Sequence, residues 1–346
     1  MAIDIGGANL KAADGLDFCA SRHFPLWRRP TELAAELAAL AATAPPADRW
    51  MATMTGELAD CFATKAEGVA AIVDALARAA VDSGLAAGRD VSIYLTDGRL
   101  VPPAVATASP LLAAAANWHA LARFAGRYAA SDCALLVDIG STTTDIIPLV
   151  DGRPAAVGQT DPERLVSGEL VYTGVERTPV CALATELPWA GRMCPTAAEV
   201  FATAWDVYLT LEDVPEEPAS LHTADGRPAT RAHALDRLAR QICADRTLFS
   251  PDDAQAAARA VAQRQCEQIA RAIGAVLRRL PGLVRTVILS GSGEFLARRV
   301  IESLGLPARV VSLGKILGAE KSRAATACAL ATLAREEFSL SPREQS

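Results

Sequence analysis

The sequence predicts an α/β protein of two similar halves around a shared central cleft, and three stretches carry that prediction. Leu135 to Val150 (LLVDIGSTTTDIIPLV) is an apolar run to Asp138, a break at Gly140, four small polar residues and a second apolar run from Asp145, which is the pattern of a hairpin. The chain opens on a second copy: Asp4-Ile5-Gly6-Gly7 matches Asp138-Ile139-Gly140-Ser141 at an offset of 134 residues, which implies a duplicated unit. Thr286 to Ala297 (TVILSGSGEFLA) is a strand that enters a Gly-Ser-Gly turn and continues as a helix.

Length and composition fit this plan. With 346 residues, 51% hydrophobic and 21% charged, the chain fills two cores, and we place the halves at 1–130 and 131–346, with 151–230 inserted in the second. A net charge of −6 offers no basic field, so nucleic acid and anionic membrane are not expected partners and any phosphate must be held by local groups. The eight cysteines form no Cys-x-x-Cys pair and read as reduced, mostly buried small hydrophobes of a cytoplasmic protein, with no structural zinc. The first strand begins at Met1, leaving no room for a signal peptide, and polar residues interrupt the Ala-rich stretches before they could span a bilayer. A homodimer is compatible with this composition.

After the first hairpin, Arg22 to Pro30 is a loop, and Thr31 is placed to cap an Ala/Leu helix. A strand at Trp50 ends at Gly56-Glu57. Thr64 and Glu67 then open a helix expected to reach about Ala87. Val91 to Thr96 is a strand closed by Asp97-Gly98, and Pro110 to Tyr128 is helical in period, with His119 read as a surface or satisfied core residue. Asp151-Gly152-Arg153-Pro154 and Asp225-Gly226-Arg227-Pro228 read as hairpin turns. Ser250-Pro251-Asp252-Asp253 starts a long helix running to about Leu280, and Ala308 to Ser312 is a strand before a last helix from about Ala319 to Glu337.

The chemistry concentrates on the turns. Gly140 lets the backbone bend, the N–H and hydroxyl groups of Ser141 to Thr144 can donate to an anion, and Asp138 and Asp145 can position a metal ion or a proton. Glycine at 291 and 293 leaves bare backbone for a flat ring or a phosphate. Arg164, Arg177 and Arg192 carry guanidinium forks suited to carboxylate or phosphate.

Two Asp-Ile-Gly hairpins followed by a strand-Gly-Ser-Gly-helix resemble the acetate and sugar kinase, heat-shock chaperone and actin superfamily. That resemblance implies a duplicated ribonuclease H-like fold in which the hairpins are two phosphate motifs and the glycine turn an adenosine motif. Asp138-Ile-Gly-Ser-Thr-Thr-Thr-Asp145 is closer to its hydantoinase/oxoprolinase branch. Asp4 to Ala13, Met54-Thr-Gly-Glu-Leu-Ala-Asp60, Gly168 to Gly174 with Arg177-Thr-Pro-Val180, and Thr223 to Thr230 look like the tetrahydromethanopterin-linked C1-transfer pathway proteins, which include methanofuran-biosynthesis enzymes. This resemblance spans nearly the whole chain. It implies a transferase that joins an aminomethylfuran-methyl diphosphate to the phenol oxygen of a tyramine or tyrosine unit, releasing diphosphate.

On that reading Asp4, Gly6, Gly7 and Asn9 with Asp138, Gly140, Ser141, Thr142, Thr143 and Asp145 embrace the diphosphate and Mg²⁺, with Asp4 and Asp138 as metal ligands. Lys11, Arg164 or Arg177 adds positive charge, Glu57 or a hairpin aspartate takes the phenol proton, and Gly291, Gly293 and Glu294 lie against substrate. Two rivals use the same residues: an ATP-dependent kinase or amidohydrolase-type enzyme gripping ATP, and a non-catalytic nucleotide sensor.

Overall fold

The computed structural model describes residues 1–86 and 90–340. Its two main sheets repeat one connectivity. In the first, β1 (Ala2–Ile5), β2 (Asn9–Ala13) and β3 (Cys19–His23) form an antiparallel meander, and β4 (Trp50–Met54) and β5 (Val91–Tyr94) add parallel to β1 on its other side, with β6 (Leu100–Val101) at the edge. In the second, β7 (Cys133–Ile139), β8 (Thr144–Val150) and β10 (Leu170–Val171) are the meander, β9 (Arg153–Pro154) pairs with β8, and β13 (Thr286–Ser290) and β14 (Arg309–Ser312) are the parallel pair. Both sheets therefore have the order third-second-first-fourth-fifth, the duplicated ribonuclease H-like α/β fold. Within the second half, between β10 and β13 in sequence, β11 (Glu186–Trp189) and β12 (Arg192–Pro195) form a small separate hairpin.

Alternation along the strands decides what each face meets. Leu135, Val137 and Ile139 pack under the helices Pro251–Leu277 and Glu294–Ser303, whereas Ala134 and Leu136 face the helix Asn117–Ala125. Ile3 and Ile5 likewise pack under the helices Leu33–Ala41 and Lys65–Asp82, and Ala2 faces the other way. Asp4 and Asp138 share the parity of those alanines and stand at the carboxyl ends of the first strands, where parallel sheets offer ligand sites.

The covering helices do not respect the division in sequence. Helix Ala325–Leu340 lays Leu330, Ala331 and Ala334 on Ala2 and Met51 of the first sheet, while Trp118, Leu121 and Phe124 of helix Asn117–Ala125 cover the second. The last helix thus packs on both halves: its later turns lie on β1 and β4, while Ala325 and Ala329 at its start join Leu136 and Ile288 of the second.

Several local expectations change. Thr31 lies in a 3₁₀ turn, Pro30–Glu32, and caps nothing, because the proline starts that turn ahead of the α-helix at Leu33. The helix from Lys65 ends at Asp82 in a turn, and its expected end near Ala87 lies outside the described residues. Pro110 to Tyr128 is broken at Ala115, whose φ is +48°. Asp225–Pro228 is a loop stapled by Asp225 to Arg227 and Arg237, not a hairpin between ladder strands. Helix Pro251–Leu277 begins as read, with Ser250 accepting from the Asp253 N–H at 3.1 Å, but stops three residues before Leu280. All eight cysteines are unpaired, and only Cys328 is buried; their thiols sit at partly exposed positions more than within the cores. Among the described residues no helix is long and apolar enough to cross a membrane.

Candidate functional site

Both hairpin turns expose N–H groups and hide carbonyls. At the first, Gly6 donates to the Asn9 carbonyl at 3.0 Å, and the Gly7 and Ala8 carbonyls accept from Leu26 and Phe24, each at 2.9 Å. At the second, Gly140 donates to Thr143 at 2.9 Å, and the Gly140 and Ser141 carbonyls accept from Val175, Glu176 and Arg177 at 3.0–3.1 Å. The N–H groups of Gly7, Ala8, Ser141 and Thr142 have no acceptor among the described residues, so each turn presents a pair of free donors, a nest for an anion. A Cβ on Gly7 would meet nothing within 4 Å, and one on Gly140 only the Thr143 oxygen at 3.7 Å, so both turns have open space beside them.

The supports behind the turns are tight. A Cβ on Gly174 would lie 2.5 Å from backbone atoms of Gly140, Ser141 and Thr142, so no larger residue lets that segment back the second turn. Gln265, reaching from the long helix, fixes Gly174 by donating to its carbonyl at 2.9 Å and to Thr173 Oγ1 at 2.8 Å, while Tyr208 O–H donates to Gln265 at 2.6 Å. The two supporting loops also touch: the Arg177 guanidinium sits 5.7 Å over the Trp27 ring, and the His23 and His222 rings lie 4.0 Å apart. The loops behind the two hairpins thus meet, and Lys11 of the first hairpin lies near enough to Asp138 of the second for its charge to be felt there.

The charges there are specific. Asp4 and Lys11 are cross-strand partners, and the corresponding pair in the second half is Asp138 and Asp145. Burial raises the Asp4 pKa while Lys11 opposes the rise. Burial, and then the like charge of Asp145, push Asp138 up to about 7, with Lys11 again acting the other way. The Lys11 ammonium makes no hydrogen bond or ion pair among the described residues, and its field reaches Asp4, Asp138 and Glu176. Asp4 Oδ1 is buried without a partner, as is the hydroxyl of Thr53, its register neighbour; Ser290 is the register neighbour of Asp138. Two hard carboxylates with an unpartnered oxygen suit Mg²⁺, which keeps its waters and binds phosphate besides. Among the described residues no three His, Cys, Asp or Glu side chains form a ready-made metal cluster, so the protein alone supplies a partial shell.

Glu57 stands directly after Gly56, whose backbone packs against Gly6. It is 1% exposed, its Oε2 has no partner, and Lys65 Nζ lies 3.8 Å from Oε1. Burial raises its pKa to about 7, with Asp161 adding to the rise and Lys65 opposing it.

Three expectations are corrected. Arg164 does not reach a substrate: it is 1% exposed, donates to Asp145 Oδ1 at 2.7 Å and to the Glu169 carbonyl at 3.1 Å, and stacks 4.2 Å over the Trp118 ring. Its role is to neutralise Asp145, which is correspondingly committed. Gly291 and Gly293 do not leave open backbone. Gly291, at φ +87°, turns the chain where a Cβ would meet the Ile139 carbonyl at 2.2 Å, and the same space at Gly293 is filled by Ile139 and Val175. Glu294 caps the following turn, accepting from the Gly314 N–H at 2.7 Å and from the Ser312 hydroxyl. Asn9, Thr142 and Thr143 lie at the turns as expected, Arg177 is exposed at the cleft, and Arg192 packs on Trp189, 5.5 Å from its ring. His119 is a satisfied core residue, bonded to the Tyr94 hydroxyl at 2.9 Å and lowered by burial to a pKa of about 4. Sequence reasoning missed Gln265, Lys65 and Asp161, whose partners are distant in the chain.

Known proteins are similar to this sequence. The hydantoinase/oxoprolinase family model matches residues 50–337. A (4-{4-[2-(γ-L-glutamylamino)ethyl]phenoxymethyl}furan-2-yl)methanamine synthase from Methanocaldococcus jannaschii is 31% identical over 98% of both chains. The synthase of that name from Methanococcus vannielii is 41% identical over 34% of this chain and 53% of its own. Among solved structures, the activator of 2-hydroxyisocaproyl-CoA dehydratase from Clostridium difficile aligns over 99% of this chain and 97% of its own, at 11% identity and a TM-score of 0.44.

Proposed function

The chain belongs to the hydantoinase/oxoprolinase family, and from that premise we propose that it is an aryl-ether-forming transferase of methanofuran biosynthesis. It condenses an aminomethylfuran-methyl diphosphate with the phenol of γ-glutamyltyramine and releases diphosphate. The observation that carries this reading is the 31% identity to a synthase of that product over 98% of both chains.

The site supports it chemically. The free N–H groups at Gly7, Ala8, Ser141 and Thr142, with Lys11, bind the diphosphate and stabilise the charge that grows on it as the C–O bond breaks. Asn9 and Thr143 flank the turns, and Arg177 adds a cation at the rim. Asp4 and Asp138 would hold magnesium, which would supply further positive charge at the departing oxygen. Asp145, held by Arg164, acts on Asp138. Glu57, titrating near neutrality, accepts the phenol proton. The electron-rich furan stabilises positive character at the reacting methylene.

Purified protein incubated with the furan diphosphate, γ-glutamyltyramine and Mg²⁺ is expected to yield the ether and diphosphate, read by mass spectrometry. No ether, together with substrate-stimulated ATP hydrolysis, would replace this reading with the ATP-dependent one.

A further inference from the structure

We propose that the phenol acceptor docks in the pocket between Leu111 and Ala114 of the first half and Thr160 and Pro162 of the second, with Lys65 receiving its oxygen. The inference rests on the transferase reading and assigns the reactant that the hairpins do not hold. Lys65 and Asp161 complete the pocket wall.

An aromatic acceptor needs an apolar surface, a group that favours its phenolate and a route to the diphosphate-bearing carbon. Leu111, 58% exposed, lies at this pocket beside Ala114 and Pro162 and supplies the first. The three side chains line one concave surface, and such a surface is what an aromatic ring packs against. Lys65 supplies the second: its ammonium stands 2.6 Å from Asp161 and 3.8 Å from Glu57 Oε1, so a phenol oxygen at Nζ has a cation beside it and, in the Glu57 Oε2, an unpartnered carboxyl oxygen nearby. The third follows from Gly56 packing on Gly6, which sets Glu57 beside the first turn. The backbone break behind the pocket, with Ala115 at φ +48°, is held by its surroundings, and such strain gathers where a binding surface is shaped.

The step balances. The phenol O–H bond breaks and its proton passes to the Glu57 carboxylate. The phenolate oxygen forms the C–O bond to the furan methylene, and the methylene–oxygen bond to diphosphate breaks, its electron pair leaving with diphosphate. A free phenol holds its proton to pH of about 10, so the Lys65 charge is what makes the oxygen nucleophilic near neutrality.

Leu111→Arg places charge on an exposed position and spares the fold. It is expected to raise KM for γ-glutamyltyramine at least about tenfold while leaving KM for the furan diphosphate within about twofold. Lys65→Met is expected to lower kcat at least about tenfold and to move the acidic limb of the pH profile upward, because Glu57 loses its cation while still facing Asp161. Calorimetric titration of tyramine alone, which needs no turnover, should show binding to the wild type and none to Leu111→Arg. Ether formed by Leu111→Arg with an unchanged acceptor KM sinks the pocket and leaves the transferase reading standing. Tyramine bound in a Leu111-dependent way by a protein that makes no ether does the reverse.

Discussion

Asp4 of the first half and Asp138 of the second occupy the same place in their sheets, yet their surroundings have opposite sign. The cross-strand neighbour is Lys11 in one and Asp145 in the other. The neighbour on the parallel strand is a hydroxyl in both, Thr53 and Ser290, and four residues beyond each stands a glutamate, Glu57 and Glu294. Glu294 spends its carboxylate as a cap, whereas Glu57 keeps an oxygen without a partner. Duplication has preserved where groups stand and left their chemistry to a few substitutions. One half contributes a cation and a buried acid with a free oxygen; the other contributes a carboxylate that burial, and then a neighbouring acid, raise to a pKa of about 7.

The sharpest way to break this comparison is to remove each aspartate. Asp4→Asn and Asp138→Asn should each lower kcat by about 10³-fold if both hairpins serve one charged group, as steady-state ether formation would show. An effect confined to one variant would mean that only one hairpin touches it.

The two glutamates should part on stability. A buried acid whose folded pKa, about 7, exceeds its unfolded value of 4.5 is favourable while protonated, and that stability is lost as pH rises through 7. Glu57→Gln is therefore expected to stabilise the protein at pH 8 by up to about 3 kcal/mol and to change little at pH 4, measured by denaturant titration. Glu294→Gln weakens the cap to Gly314 and should cost about 1–2 kcal/mol at either pH.

The supporting glycines differ by less. Gly174→Ala forces a methyl into backbone and should cost about 1–3 kcal/mol with loss of activity, while Gly56→Ala first meets the flexible end of Leu26 and should cost about 1 kcal/mol. Smallest is Lys11→Met, expected to raise KM for the diphosphate substrate about tenfold with little change in melting temperature.

The backbone plan was legible because it rests on local signals. Period-two apolar runs, glycine breaks and the repeated Asp-Ile-Gly located the turns, and the pairing of Asp138 with Asp145 follows from hairpin register alone. What was not legible is which charges are already committed. Arg164 looks available in sequence, but helix Asp161–Ser167 delivers it beneath Trp118 onto Asp145. Lys65 and Asp161, 96 residues apart, meet only because the two halves close on one another. The glycines at 291 and 293 carry the signature of an open loop, and their need is packing against β7.

Helix Ala325–Leu340 covers β1 and β4, and helix Asn117–Ala125 covers β7. Arg127, just past the second of these helices, pairs with Glu336 on the first at 3.1 Å. Each lobe is thus roofed by a segment encoded on the far side of the other lobe's sheet or at its margin. Severing the chain near residue 130 would strip the first sheet of its covering helix and leave an apolar face open to water.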